Sequence, residues 1–348
     1  MSERMRRLVE TAGKSSSPFF SVVIPAFNAE YTIAATLASI VDCHEDELEI
    51  IVVDDGSTDD TARIAAGFPC RLLYNETNNG PGLTRNRGVE NAVGEWIVFI
   101  DADIRIEADT FQKLRGHFTR FPETTAVSGV YSEICPTNNF FSRYKNHYLN
   151  HSFDWIGRHV GFANTSLMAI RRDAFLEFGG FAPNWKAAED TIFGAELALA
   201  DYSLFMTKEI RVQHLKRLDL LRLIKDDFLR SFAMADYLWS KLRRLPFMIR
   251  HCIGHHHSLG QMLRVPGAVL ILMALAFFLV TGSPEALGVA TVATLFFFAL
   301  MIPFLVRLAK AEGYFYALLA IPLHWLEMLV ASAAIISVIV IHAVRRLM

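Results

Sequence analysis

Two aspartates one residue apart, Asp101 and Asp103, stand directly behind the apolar run 95–100 (EWIVFI). Carboxylates so placed at a strand end can share one hard cation, Mg2+ or Mn2+, with a bound diphosphate, because both ions favour oxygen donors. An acidic solvated turn has the same composition. A second pair, Asp54-Asp55, ends the run 49–53 (EIIVV) and leads into Gly56-Ser57. Four acids around one cation would over-charge it, so this pair fits acceptance from a base N–H or a ribose hydroxyl better. Arg85 could meet phosphate or organise these acids; an ordinary surface arginine is the competing reading. Glu189-Asp190 stands where a helix over 191–199 begins. An acid there is either a cap or a general base for an acceptor hydroxyl. His214 follows a strand-like 210–213 and could join the cation or the diphosphate; a packed loop histidine is the alternative.

These residues need a scaffold that brings strand ends together. The run 20–25 (FSVVIP) reads as a buried strand and 28–40 as a helix. Residues 49–53 read as a second strand, with Ser57 as cap of a helix whose first turn holds Asp59 and Asp60. A third strand is expected at 71–74. A turn at Asn78-Asn79-Gly80-Pro81-Gly82 precedes a helix carrying Arg85, Asn86 and Arg87. A fourth strand at 95–100 follows. Alternation of strand and helix predicts an α/β fold, Rossmann-like, with a mostly parallel sheet and ligands beyond the carboxyl ends of the strands. Three strands end there in polar clusters. Neither GxGxxG nor GxxxxGK[ST] occurs, so no dinucleotide fingerprint or P-loop is supported. Further on, 161–181 reads as a strand-like piece, a short helix and a glycine turn.

The chain has 348 residues, and 52% are hydrophobic. The excess sits after residue 265, in stretches 265–280, 286–306 and 314–344, each near the ~20 residues a membrane crossing needs. Pro322, His324 and Glu327 interrupt the last, so it is expected to begin as an interfacial half-helix with a span over 325–344. Arg307 and Lys310, and the basic residues before the first stretch, belong on the cytoplasmic side. Three spans would then put Arg345 and Arg346 outside, against the same rule. Residues 219–250 alternate apolar and basic side chains and read as an amphipathic helix on the membrane surface. His255-His256-His257 reads as a solvated juxtamembrane loop. Net charge is −2, which gives no basic field for nucleic acid. The four cysteines lie far apart, as reduced thiols of a cytosol-facing domain would. The expected domains are a flexible N-terminus (1–18), a catalytic domain (19–218), a juxtamembrane region (219–262) and about three membrane helices (263–348).

Taken together, residues 20–215 resemble the family 2 glycosyltransferases of the GT-A fold. The resemblance rests on Ser21 to Asn28, Val53 to Asp59, Asn79-Gly80 through Arg85-Asn86-Arg87-Gly88, Asp101-Ala102-Asp103, Asn164 to Gly179-Gly180-Phe181, and Glu189-Asp190, in order and spacing. It implies an inverting transfer from a nucleoside diphosphate sugar. By that match Pro25, Ala26, Phe27, Glu30, Asp54 and Asp55 hold the nucleoside, supported by Arg85, Asp101 and Ala102. Asp103 binds a divalent metal, joined by His214, and Asp190 is the base. Gly179, Gly180, Phe181 and Glu189 fall on the acceptor side. Members that glycosylate a polyprenyl phosphate usually carry Asn-Glu after the first motif's aromatic and a Gln after the metal motif; here Ala29 and Arg105 stand there. Processive synthases carry Gln-x-x-Arg-Trp, which this chain lacks. The implied acceptor is a lipid or lipid-linked glycan hydroxyl at the cytoplasmic face of the cell membrane, with a polyprenyl-phosphate acceptor as the alternative. A transporter with a nucleotide-sensing domain is the competing class.

Overall fold

A computed structural model describes residues 18–153, 160–241 and 259–347. The expected N-terminal lead-in up to residue 17, the second half of the juxtamembrane region and the histidine triplet lie outside the described residues. Contacts divide the chain into a sheet unit, Met1–Asn138 with Ile156–Arg217, and a helical unit, Asn139–Trp155 with Leu218–Met348.

The sheet unit contains strands β1 (Phe20–Ala26), β2 (Leu48–Asp54), β3 (Arg71–Tyr74), β4 (Trp96–Ile100), β5 (Ile104–Ile106), β6 (Ala126–Tyr131), β7 (Leu167–Arg171) and β8 (Leu204–His214). Its helices are α1 (Ile33–Val41), α2 (Thr61–Ala65), α3 (Pro81–Glu90) and α4 (Thr110–Arg120). After a further helix that belongs to the helical unit, α5 (Phe140–Ser152), come α6 (Arg172–Phe178) and α7 (Glu189–Leu199). One eight-stranded sheet forms in the order β3-β2-β1-β4-β7-β6-β8-β5. β3-β2-β1-β4 are parallel, and this half carries the three strand ends foreseen from sequence. Beyond β4 the expectation of a mostly parallel, Rossmann-like sheet is corrected. β7 runs antiparallel to both β4 and β6, and β5 antiparallel to β8; only β6 and β8 are parallel. The result is a GT-A-like mixed sheet. Apolar alternation reports which face is buried and not which way a neighbour runs, so strand direction was hidden there.

β1, β2 and β4 form the core: Val22, Val23, Ile24, Ile51, Val52, Val53, Ile97, Val98 and Phe99 are fully buried. Each such side chain contributes roughly 1.5–3 kcal/mol by leaving water. α3 lies so close to β1 that a Cβ on Gly88 would come within 2.3 Å of Val23 Cγ1. Two local expectations fail here. The first helix begins at Ile33 rather than residue 28, because Asn28 adopts φ +48° and turns the chain. Ser57 does not cap α2; its hydroxyl accepts from the Asn28 amide, and α2 starts only at Thr61.

The helical unit adds α8 (Leu220–Ser240), α9 (Leu259–Thr281), α10 (Pro284–Glu312) and α11 (Tyr314–Leu347). Asp219 caps α8 by accepting from the Arg222 amide. α9 from Arg264, α10 and α11 are each long and apolar enough to cross a membrane. α11 is one continuous helix through Pro322, not the broken half-helix and span expected. Phe304 and Leu308 of α10 pack with Tyr144 of α5, Leu223 of α8 and Ala320 of α11.

Candidate functional site

Three parallel neighbours, β2, β1 and β4, deliver their polar ends to one edge of the sheet. Ala26 pairs with Asp54 in register, and β4 stops one residue short of Asp101. The loops after β1 and β2 are tied together. The Ala29 amide donates to Thr61 Oγ1 (2.7 Å), and the Thr58 amide donates to Asn28 Oδ1 (2.9 Å). Glu30 joins them: its amide donates to Asp59, and its carboxylate accepts from the Asp60 amide. Pro25 is half-buried and Ala26 buried, while Phe27 presents its ring to solvent.

The two neighbouring aspartates differ. Asp55 is buried and fully engaged by the protein. It accepts from Asn75 Nδ2 (2.7 Å), the Asn79 amide (3.0 Å) and the Gly80 amide (3.0 Å), which fixes the turn before α3. Asp54 is equally buried, yet its Oδ1 has no hydrogen-bond partner among the described residues. A buried carboxylate oxygen without a donor is costly.

Arg85, buried on α3, sits between two acids. Its Nη2 donates to Asp101 Oδ1 (2.6 Å) and its Nη1 to Glu189 Oε1 (2.8 Å). The guanidinium also lies 5.5 Å from the Phe181 ring centre. It therefore organises carboxylates. Burial raises the Asp101 pKa above the usual range; Arg85 opposes this, and the nearby charges of Asp103 and Asp190 add to the rise. Ala102 is buried, and Thr36 Oγ1 donates to its carbonyl (2.9 Å), which holds the turn in place.

Asp103 and His214 meet through the β5–β8 pairing, in which Ile104 stands opposite His214. Asp103 Oδ2 lies 3.4 Å from His214 Nε2, and the Leu215 amide donates to the Asp103 carbonyl (2.7 Å). Burial would push the Asp103 carboxyl up, but His214 and then Lys216 outweigh it and hold it below the usual range. No cluster of three His, Cys, Asp or Glu donors forms among the described residues.

Asp190 lies in the first turn of α7, buried, with Oδ1 accepting from the Thr191 amide (2.8 Å). α7 can approach because Gly194 has no side chain; a Cβ there would stand 2.0 Å from the Ala163 amide nitrogen. Gly179 and Gly180 both have positive φ, +91° and +71°, and close α6. The loop they make is clamped by Asn86, whose amide donates to the Phe181 carbonyl (2.8 Å) and whose Oδ1 accepts from the Phe181 amide (2.9 Å).

Three participants went unseen in the sequence. Ser166 Oγ donates to Asp101 Oδ2 (3.3 Å), Tyr131 and Ser166 share a short hydrogen bond, and the Tyr131 ring lies 5.3 Å from that of His214. Lys216 adds positive charge beside Asp103. A serine, a tyrosine and a lysine at unremarkable spacings carry no signal without the sheet order.

A mixed sheet of this order, with acids gathered at the ends of parallel strands, defines the GT-A class. The likeness to a solved structure agrees: a mannosyltransferase of Pyrobaculum calidifontis, determined with GDP-Man and Mn2+, superposes with TM-score 0.60 at 20% identity, covering 91% of this chain and 92% of that one. Residues 21–179 match the family model described as glycosyl transferase family 2. Among curated relatives, an uncharacterized glycosyltransferase of Haemophilus influenzae is 34% identical over 101 residues, 28% of this chain and 40% of that protein. YibD, an uncharacterized glycosyltransferase of Escherichia coli, is 34% identical over 104 residues, 29% and 30%. A PGL/p-HBAD biosynthesis glycosyltransferase of Mycobacterium bovis is 36% identical over 120 residues, 33% and 47%. The chain thus spans less than half the length of these relatives.

Proposed function

We propose that the chain transfers a sugar, with inversion, from a nucleoside diphosphate sugar to a hydroxyl of a lipid or lipid-linked glycan at the cytoplasmic face of the membrane. The observation that carries this reading is the division of the sheet edge. A buried carboxylate oxygen without a donor, Asp54 Oδ1, stands at one strand end, and the Asp103–His214 pair stands beyond another. The first suits a base or ribose donor and the second a diphosphate. Pro25, Ala26, Phe27 and Glu30 would line the nucleoside end, with Asp55 holding the adjoining turn.

One carboxylate and one imidazole 3.4 Å apart fit a divalent cation that takes its remaining ligands from the diphosphate and water. Mg2+ or Mn2+ held there would neutralise the departing diphosphate; the Pyrobaculum protein was determined with Mn2+. Arg85 and Ser166 hold Asp101 beside this pair, toward the ribose or the metal's water shell. Asp190 would take the acceptor proton as the acceptor oxygen attacks the anomeric carbon in line with the leaving phosphate oxygen. Gly179, Gly180, Phe181 and Glu189 would shape the acceptor side.

The test is a screen of nucleoside diphosphate sugars on the purified full chain with Mn2+ or Mg2+, followed by mass spectrometry of the lipid product. Asp103→Ala and Asp190→Asn are each expected to abolish transfer, and undiminished turnover in both would sink the reading. A product that carries its sugar on a lipid phosphate would replace the hydroxyl acceptor with a polyprenyl phosphate.

A further inference from the structure

The three long apolar helices are alike in composition but not in what holds them. α9 and α10 form a hairpin in which Ala268 and Ile271 pack with Ala293, Phe297 and Met301. α11 joins this hairpin between Ala317 and Ser332, starting with Ala317, Ala320 and Leu323 in one cluster with Phe304 and Leu308 of α10. Further along α11, His324 meets Arg264, Met328 packs into the cluster of Ala268 and Phe297, and Ser332 Oγ donates to the Val265 carbonyl (3.3 Å). Ser332 is therefore level with the first turn of α9's apolar run, at the end of the hairpin far from the 282–283 turn.

Along most of its length, before and beyond Ser332, α11 is also tied to α8. Leu223 of α8 shares a cluster with Ala320 and Leu323. Asp227 and Glu327 share Lys145. Asp236 lies 2.7 Å from His342 Nε2, the His342 and Trp239 rings stack at 5.2 Å, and the Arg346 guanidinium lies 5.7 Å from the Trp239 ring. The pairs advance together along both helices, so α8 and α11 lie side by side and parallel. α8 carries Arg222, Lys225, Asp226, Asp227, Arg230 and Asp236, too many charges for hydrocarbon.

Length decides between the alternatives. At 1.5 Å per residue, the 13 and 14 residues from Ser332 to Arg345 and Arg346 cover about 20 Å. A span starting at the level of Val265 would strand both arginines, and the Asp236–His342 pair before them, inside a hydrocarbon core about 30 Å thick.

We propose that the chain crosses the bilayer twice, through α9 and α10, and that the second half of α11 lies with α8 along the membrane surface on the side where α9 begins. The partner of this surface is the bilayer interface. Ile336, Ile339, Val340 and Val344 form an exposed apolar strip that enters it, while Arg222, Lys225 and Arg230 meet anionic headgroups. This arrangement places Arg307, Lys310, Arg345 and Arg346 on one side with Lys241, and removes the conflict that three spans create.

The test is side-specific labelling of the full chain in sealed membrane vesicles, with the four native cysteines replaced by serine and a membrane-impermeant maleimide as probe. Arg346→Cys is expected to label in the vesicle orientation that labels Tyr314→Cys and to stay protected where Glu285→Cys, beside the α9–α10 turn, is labelled. Labelling together with Glu285→Cys would overturn the proposal. For the unmodified chain, carboxypeptidase added outside should trim the C-terminus only in the orientation that labels Tyr314→Cys; trimming in the other orientation overturns it equally. A lipid-depth quencher supplies a third reading: a fluorophore at Ile339→Cys should sit near the headgroups, and mid-bilayer quenching equal to that at Met273→Cys would refute the surface placement.

Discussion

Buried charge is balanced differently in the two units. In the helical unit the buried carboxylates are held by cations, although Asp227 Oδ2, like Asp54 Oδ1, has no hydrogen-bond partner among the described residues. Glu327 accepts from Tyr144 through one oxygen and from Lys145 through the other (2.9 Å), and Lys145 also reaches Asp227 (2.6 Å). Glu312 takes a bidentate Arg143 and His147. In the sheet unit one buried arginine serves Asp101 and Glu189, the charges of Asp103 and Asp190 act on Asp101, and Asp54 keeps an oxygen unpaired. A closed network fixes helices to one another; an under-compensated acidic edge is what a cation and a ligand's donors complete. The two therefore answer mutation differently, one through stability and the other through binding and rate.

The largest effect belongs to the open site. Asp190→Asn removes the proposed base without changing side-chain shape. Loss of a positioned base costs roughly a thousandfold in rate, and the thermal midpoint in detergent should stay put. A rate unchanged within tenfold would mean that this carboxylate only caps α7. Next comes the closed network. Lys145→Met leaves Asp227 and Glu327 buried without their cation, which costs about 3–5 kcal/mol; a steep fall in the unfolding midpoint should follow. The pH dependence has a defined sign. Burial pushes the Asp227 carboxyl up, but Lys145, a hydrogen bond with Glu327 and the charge of Arg230 together hold the group below the usual range. Its stabilisation is thus present at neutral pH and fades only as pH falls below about 4 toward the lowered folded value.

The third effect is smaller and lies between the two regimes. Asp55→Ala strips the acceptor from Asn75 and from the amides of Asn79 and Gly80. Unpaired buried donors of this kind cost about 2–3 kcal/mol together, seen as a lower unfolding midpoint. A loss of donor affinity without loss of stability would show that Asp55 faces the ligand instead.

The strand ends were legible because apolar runs stop abruptly at acids: Val53 before Asp54, and Ile100 before Asp101. The glycine turn at 179–181 was legible for a similar reason, since paired glycines after an apolar helix mark left-handed backbone. Partnerships were not. Arg85 and Glu189 are 104 residues apart, and only the insertion of antiparallel β7 beside β4 brings α7 to α3. Asp54 and Asp55 look interchangeable on the page, and only the turn at Asn79-Gly80 tells them apart. In the membrane part, composition marks three candidate spans, because hydropathy records what a helix could enter and not what it packs against. Pro322, His324 and Glu327, and the conflict at Arg345 and Arg346, were the traces in the sequence of the difference proposed for α11.

The finest break in the comparison is Asp54→Asn. Asp54 Oδ1 is buried without a partner among the described residues, and the proposed nucleoside contact would supply one. Replacing one oxygen by an amide nitrogen removes the charge and places a donor where an acceptor is needed. Nucleoside diphosphate affinity should fall about tenfold, the ~1.4 kcal/mol expected for losing one hydrogen bond to a charged group. The unfolding midpoint should hold or rise, because a buried charge has been neutralised. Calorimetric titration with the nucleoside diphosphate and a thermal scan of the same sample separate the outcomes. Unchanged affinity with a lower midpoint would move Asp54 into the company of Asp55 and Glu327, as a carboxylate that serves the fold.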